Sequence, residues 1–145
     1  MFKDVVKTHV EPTTPEDIPE LSQYKNQIVG RSILVKSYRV LPIESIVRGY
    51  ITGSGWKEYC KSGTVHGISM PKGLVESQVL ETPIWTPSTK ADEGHDENIS
   101  PEKATELIGE KYAAEMERLS LLIYKKVFYQ TIITSASLPF KLPTF

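Results

Sequence analysis

The stretch that decides the fold is residues 41–54, LPIESIVRGYITGS. The β-forming residues after Pro42 predict a strand. Pro42 lacks the N–H that a central strand would donate, so it marks a bend, a bulge or an edge. Successive side chains of a strand point to opposite faces. One face would carry Glu44, Ile46, Arg48 and Tyr50. The other face is more apolar, and we expect it to meet the core.

A short helix is predicted directly after this strand, over WKEYCKS. Ser54 is a candidate N-cap and Gly63 a candidate C-terminal cap. The free N–H groups and the positive dipole end of such a helix favour an anion. An ordinary capped helix is the alternative, and no G-x-x-x-x-G-K-[ST] Walker loop is present. Arg48, just upstream of the turn, favours the phosphate interpretation because a guanidinium can pair with phosphate oxygens.

Composition excludes several classes of protein. The 145 residues include 17 Lys+Arg and 18 Asp+Glu, and a net charge of −1 argues against a general nucleic-acid or membrane-surface binder. No apolar run approaches the roughly 18 residues that span a bilayer. The N-terminal residues lack the apolar region of a signal peptide, so we expect a soluble, cytoplasmic protein. Cys60 cannot form an internal disulfide, and we expect a half-buried, unreactive thiol.

The remaining segments predict further elements. A strand is expected over Arg31–Val40, a hairpin or loop over residues 64–73, and extended chain over residues 81–90. Ser100 and Pro101 predict a helix start, and Gly109 predicts its end. A second helix from about Glu110 carries apolar residues at spacings of 3 and 4, which we expect to be core. They are Tyr112, Met116, Leu119, Ile123 and Val127.

The acidic stretch ADEGHDEN, residues 91–98, has two interpretations. Asp92, Glu93, Asp96 and Glu97 could bind a hard cation through oxygen, although their spacing fits no EF-hand. A solvated loop is the alternative. His95 could act as a general base or only as a hydrogen-bonding residue.

The stretch at residues 41–54 closely resembles a signature of the phosphoribosylaminoimidazole-succinocarboxamide synthase (SAICAR synthetase) family, most closely of the fungal type. The similarity continues through WKEYCKSGTVHG, PKGLVESQ, PIWTPSTKADEGHDENIS and ELIGE, over about residues 30–126. The resemblance implies a ligase of purine biosynthesis that uses ATP and Mg²⁺. Such an enzyme joins L-aspartate to the carboxylate of carboxyaminoimidazole ribotide (CAIR) through an acyl phosphate. The implied partners are these small molecules, not nucleic acid or a membrane.

The fold implied by the resemblance is α+β and incomplete. An antiparallel, kinase-like or ATP-grasp-like nucleotide-binding sheet would adjoin helices of a second α/β lobe. The family's G-K-V-R-D, D-R-I-S-A and D-x-K-x-E-[FY] strings do not occur. We therefore expect residues 1–145 to be a partial domain with an atypical tail at 127–145, an internal fragment that lacks parts of the ATP and metal site. The metal ligands are unknown.

The resemblance also implies roles for individual residues. Arg48 and Ser54 would hold the ribotide 5′-phosphate, with Thr52 and Gly53 beside them as substrate-binding residues. Glu44, Lys90 and Asp96 would be catalytic, and His95 would contact substrate. Lys36 and Val40 would belong to the ATP site, because the backbone of Val35–Val40 would meet adenine.

Two other hypotheses remain beside the ligase. The chain could be a catalytically inactive, truncated product that acts as a ribotide-phosphate-binding or interaction module. It could also be a non-functional product, which the apolar C-terminal tail would favour because exposed apolar ends promote aggregation.

Overall fold

The computed structural model describes residues 5–90 and 96–135, with side chains as far as Phe128. The chain divides into two units, Met1–Val40 and Leu41–Phe145. The first unit contains two 3₁₀ turns, Pro15–Asp17 and Pro19–Tyr24, followed by the one-turn helix α1, Lys25–Ile28.

The strand predicted over Arg31–Val40 is wrong. Only an isolated antiparallel bridge joins Val35 to Val10. Ile33 is 70% exposed and Val40 is 72% exposed. β-forming residues make a strand when a ladder and a covered face support them, and the described part of this unit supplies neither beyond the one bridge.

The second unit contains three antiparallel pairs of strands. The strands are β1 (Ile43–Glu44), β2 (Val47–Tyr50), β3 (Thr64–Val65), β4 (Ile68–Ser69), β5 (Val79–Trp85) and β6 (Ser88–Thr89). β1 pairs with β6, β2 with β5, and β3 with β4. Glu44 lies opposite Ser88, and Val47 lies opposite Trp85. The strand predicted after Pro42 is confirmed, in two pieces.

The described part of this unit also contains the helices α2 (Gly53–Ser62), α3 (Pro101–Ile108) and α4 (Glu110–Ser135). The predicted start of α3 is confirmed, because the Ser100 hydroxyl accepts a hydrogen bond from the Lys103 N–H at 3.2 Å and Pro101 occupies the first turn. Gly109 ends α3 with φ of +85°. Gly63 ends α2, as predicted, in the left-handed conformation that favours glycine.

Among the described residues of the second unit, buried apolar side chains form two clusters. The first contains Ile43, Trp85, Ala104 and Ala113, and the second contains Ile51, Val65 and Leu80. The buried positions on β1, β2 and the residue after β2 belong to the face that the sequence predicted to be apolar. The fold is α+β, as the sequence analysis expected.

The predicted core stripe of α4 is wrong at its ends. Tyr112 is 60% exposed and Val127 is 40% exposed. The face that packs carries Ala113, Met116, Ser120 and Tyr124, also at spacings of 3 and 4. The face that contacts the core includes the small residue Ala113 and the polar residue Ser120, which bonds to Ser45, so large apolar side chains alone did not identify it.

Within the described ranges 5–90 and 96–135, no helix is both long and apolar enough to span a bilayer.

Candidate functional site

Arg48 lies against the N-terminus of α2. It is half-buried on β2, and its Nη2 donates to the Ser54 hydroxyl oxygen at 2.9 Å. A longer contact of 3.5 Å joins Nη1 to the Thr52 carbonyl oxygen. Buried Ile51 anchors the chain between β2 and α2, so the strand delivers the guanidinium to the first turn of the helix.

Ser54 is not the N-cap that the sequence predicted. α2 begins at Gly53, and the N-cap is Thr52, whose side chain makes no capping bond. Gly53 has φ of +56°, which places the turn in a conformation that L side chains rarely adopt. The first helical hydrogen bond runs from the Trp56 N–H to the Thr52 oxygen at 3.2 Å. The N–H groups before Trp56 therefore lack helical partners, as an anion site requires.

Gly55 makes room for the arginine. A Cβ at this buried glycine would lie 3.4 Å from Cδ and Nε of Arg48, and 3.3 Å from Cγ1 of Val65. Nε is buried and has no hydrogen-bond partner among the described residues. Burial lowers the pKa of Arg48 from its ordinary value, and the charge of Glu58 opposes this shift.

Glu58 was missed by the sequence analysis. It lies one helical turn after Ser54, and its Oε1 accepts hydrogen bonds at 3.3 Å from the Thr64 hydroxyl and from the Gly67 N–H. The available signal was the i, i+4 spacing from Ser54, which puts both side chains on the same side of α2.

Glu44 and Lys90 meet at the β1–β6 pair. Their Oε1 and Nζ atoms are 3.4 Å apart. The Lys90 N–H also donates to the Pro42 oxygen at 3.1 Å, which fixes the backbone where the lysine leaves the strand. The side chains are 41% and 51% exposed, so this ion pair contributes little to stability and both ends remain accessible.

Asp96, Lys36 and Val40 are the remaining candidate residues that the structure describes. Asp96 is described and exposed. His95, Asp92 and Glu93 lie outside the described residues. Lys36 and Val40 belong to the first unit, where Lys36 Nζ lies 3.5 Å from an oxygen of Glu11.

The described residues hold no group of three or more His, Cys, Asp or Glu side chains that could bind one metal ion. Cys60 is exposed, not half-buried as expected. Two cavities of about 280 and 640 Å³ lie in the second unit, and neither is lined by Arg48, Ser54 or Lys90.

His66 was also missed. It is 2% exposed and occupies the turn between β3 and β4 with φ of +51°. The His-Gly pair between two short β-forming runs was the available signal, because hairpin turns favour residues that tolerate positive φ.

Comparisons with known proteins agree with the resemblance stated from the sequence. A profile of the SAICAR synthetase family matches residues 2–134. A phosphoribosylaminoimidazole-succinocarboxamide synthase of Maridesulfovibrio salexigens is 54% identical over 128 residues, covering 87% of this chain and 43% of the relative. A protein of the same name from Pichia angusta is 52% identical over 134 residues, covering 87% and 44%.

A solved structure gives the same result. The SAICAR-synthase from Saccharomyces cerevisiae, complexed with SAICAR, matches with a TM-score of 0.75 at 46% identity and covers 86% of this chain and 43% of that one. The present chain thus spans less than half the length of the relatives that it matches. The family profile, the identities near one half and the shared fold agree that the chain belongs to the SAICAR synthetase family.

Proposed function

We propose that this chain provides the ribotide-binding part of an ATP-dependent ligase that joins L-aspartate to the carboxylate of CAIR. The products would be SAICAR, ADP and phosphate. Because the chain spans about 43% of the length of its relatives, the activity of a whole enzyme is part of this proposal. The solved relative was obtained as a complex with SAICAR, which supports a ribotide as the ligand class.

The observation that carries the proposal is the hydrogen bond from Arg48 Nη2 to Ser54 at the start of α2. A phosphate at this point would meet a guanidinium, a hydroxyl and unpaired N–H groups. Gly53 and Gly55 carry no side chains that would crowd the turn. We assign the 5′-phosphate of CAIR to this group, with Thr52 and Gly53 as the turn that approaches it.

The proposed chemistry proceeds in two steps. A carboxylate oxygen of CAIR takes the terminal phosphoryl group of ATP, and ADP leaves. The aspartate amine then attacks the carbonyl carbon of the acyl phosphate, inorganic phosphate leaves with the bonding pair, and the amine loses a proton. Positioning and charge neutralisation do most of the work in such a reaction, without a covalent protein nucleophile.

Glu44 and Lys90 are the proposed catalytic pair. The Lys90 ammonium can neutralise charge on the CAIR carboxylate or on the acyl phosphate, and Glu44 would orient it from 3.4 Å. Asp96 and His95 follow Lys90 closely in sequence, and we assign both to contacts with CAIR or L-aspartate, with Asp96 as a further proposed catalytic residue.

ATP and Mg²⁺ belong to the proposal through the family. Lys36 and Val40 are the proposed ATP-site residues, with adenine meeting the backbone of Val35–Val40. Mg²⁺ would neutralise phosphate charge, but the described residues contain no group of three potential ligands, so we assign it none of them.

The test is a calorimetric titration of the chain with CAIR. Charge-assisted hydrogen bonds contribute about 1.5–3 kcal/mol, so Arg48→Ala should weaken binding by about tenfold to a hundredfold. Ser54→Ala should weaken it about fivefold, because it removes a neutral hydroxyl.

Arg118→Ala is the matched control. Arg118 is an exposed arginine of α4 that pairs with Glu115 at 2.7 Å, so its loss should leave CAIR affinity unchanged. Absence of heat with the unchanged chain, or equal weakening by Arg118→Ala and Arg48→Ala, would refute the phosphate assignment.

A binding module without catalysis is the second candidate. It is favoured by the position of Arg48 and Ser54, which both lie in the second unit and already contact each other. An assay of ATP- and aspartate-dependent SAICAR formation separates the candidates. CAIR binding without turnover would support the module, whereas turnover would support the ligase.

A further inference from the structure

A buried histidine occupies the tip of the β3–β4 hairpin. Val65 pairs with Ile68, so His66 and Gly67 form a two-residue turn. Their φ angles are +51° and +77°, the pattern of a type I′ turn. Such turns favour Asn-Gly or Gly-Gly, and hairpin tips usually face solvent. A histidine that is 2% exposed in this conformation therefore needs a local reason.

The reason lies in the contact of His66 with Pro87. Its Nδ1 is 2.8 Å from the Pro87 carbonyl oxygen. A carbonyl oxygen can only accept, so Nδ1 carries the proton and donates. The same oxygen accepts the Ile99 N–H at 3.1 Å. Nε2 is buried without a partner among the described residues, so the contact with Pro87 is the only hydrogen bond that the ring makes to them.

Pro87 and Ile99 lie at the base of the segment that runs from Lys90 to Asp96. Closer to that segment, the Thr89 N–H donates to the Glu97 oxygen, and the Glu97 N–H donates to the Thr89 hydroxyl, both at 2.9 Å. These bonds join Thr89 to Glu97, the residues that precede Lys90 and follow Asp96. His66, which lies 21 residues before Pro87 in the chain, adds its hydrogen bond to the Pro87 oxygen that also accepts from Ile99.

The same hairpin also contacts α2, the helix whose N-terminal turn we assign to the phosphate. Val65 lies against Gly55, and the Gly67 N–H donates to Glu58 of α2 at 3.3 Å. A Cβ at Gly67 would lie 3.0 Å from Cβ of Ser100, the residue that caps α3. The hairpin tip, His66 and Gly67, therefore contacts α2 on one side and Pro87 on the other.

We propose that His66 is a positioning residue, whose Nδ1–H holds the Pro87 carbonyl and so fixes Lys90 and Asp96 relative to the phosphate-binding turn of α2. Because it is 2% exposed, we assign it no contact with substrate or with reacting atoms. The proposal rests on the proposed function in treating Lys90 and Asp96 as substrate contacts. The hydrogen bond from His66 to the Pro87 oxygen, which we call the clamp, can be tested without a ligand.

Three variants separate the donor from the turn. His66→Gly keeps positive φ without strain and removes the donor. His66→Phe keeps an aromatic ring and removes the donor. His66→Asn suits the turn and places an amide N–H near the position of Nδ1, so it is the conservative rescue.

Amide exchange by NMR tests the clamp on the full chain. His66→Gly and His66→Phe should speed exchange at Thr89, Glu97 and Ile99 by about tenfold, and His66→Asn should restore the rates. The ring ¹⁵N shifts of the unchanged protein should show the Nδ1–H tautomer. Unchanged exchange in both donor-free variants, or an Nε2–H tautomer, would overturn the proposal.

Ligand titration tests the consequence for the site. His66→Phe should weaken CAIR binding by about tenfold while the affinity for ribose 5-phosphate, which needs only the Arg48 turn, stays the same. Equal weakening of both ligands would contradict a positioning role and indicate general loss of structure. If neither ligand binds the unchanged chain, the proposed function fails, and the exchange data still decide the clamp.

Discussion

At the scale of single residues, the charge of Arg48 is balanced by its surroundings. The guanidinium is half-buried, donates to Ser54 at 2.9 Å and has the Glu58 carboxylate in its electrostatic field. The negative charge of Glu58 favours the charged form of Arg48, which burial disfavours. It also places a negative charge near the position that we assign to a phosphate, so it opposes the ligand.

Glu58→Gln should therefore raise phosphate affinity. The amide oxygen can still accept from Thr64 and Gly67, while the repulsion between carboxylate and phosphate is lost. Because this repulsion acts through a largely aqueous environment, we expect its loss to raise CAIR affinity by about threefold to tenfold at low salt. Calorimetry in low and high salt measures the change.

The salt dependence provides the control for this prediction. The gain should shrink as ionic strength rises, because screening weakens interactions between exposed charges. Lower affinity of Glu58→Gln at low salt would mean that Glu58 acts mainly by orienting Arg48.

At the scale of elements, helix ends are set by a few local hydrogen bonds. Ser100 caps α3 through the Lys103 N–H, and its hydrogen bond with Glu102 lowers the pKa of that carboxyl. α3 packs Ala104 into the first core cluster, so its start also fixes the residues that follow β6.

Ser100→Ala should lower the free energy of unfolding by about 1 kcal/mol, because a first-turn N–H loses its acceptor. Urea denaturation measures the loss. Ser69→Ala, at the exposed residue of β4, is the matched control and should change stability by less than about 0.5 kcal/mol. Equal losses would show that the cap does not stabilise α3.

The effect of Ser100→Ala should also depend on pH. The lowered pKa of Glu102 contributes stability above the ordinary glutamate pKa, and this contribution disappears as pH falls through the lowered value. The difference in the free energy of unfolding between Ser100→Ala and the unchanged protein should therefore become smaller in acid.

At the scale of the whole second unit, α4 is attached to the strands by contacts distant in sequence. The Trp85 indole N–H donates to the Ser45 hydroxyl at 2.7 Å, and Ser45 bonds to Ser120 at 2.6 Å. Further along α4, the hydroxyl end of the Tyr124 side chain contacts Gly49. These contacts couple the strand that carries Arg48 to the longest helix.

Gly49→Ala should destabilise the unit by about 1–3 kcal/mol through overpacking. Its Cβ would lie 2.8 Å from Cζ of Tyr124, so the Tyr124 side chain or the β2 backbone would have to shift. In the Tyr124→Ala background the same substitution should cost much less. A double-mutant cycle by urea denaturation measures this coupling, and additive effects would rule out the contact as the cause.

Local signals in the sequence were enough to predict several features of this protein. They include the strand after Pro42, the C-terminal end of α2, both ends of α3, and the arginine beside a helix N-terminus. The quoted strings were also enough for family membership. Each of these depends on backbone groups within a few residues, or on residue identities that can be compared directly.

The tertiary structure alone decided the rest. It pairs Ser54 with Arg48 instead of capping α2, turns α4 so that Ala113, Met116, Ser120 and Tyr124 pack, and buries His66 under Pro87. It leaves Arg31–Val40 without a ladder beyond the bridge at Val35. The physical reason is the same in each case: the partner lies on another element, and only packing determines which groups meet.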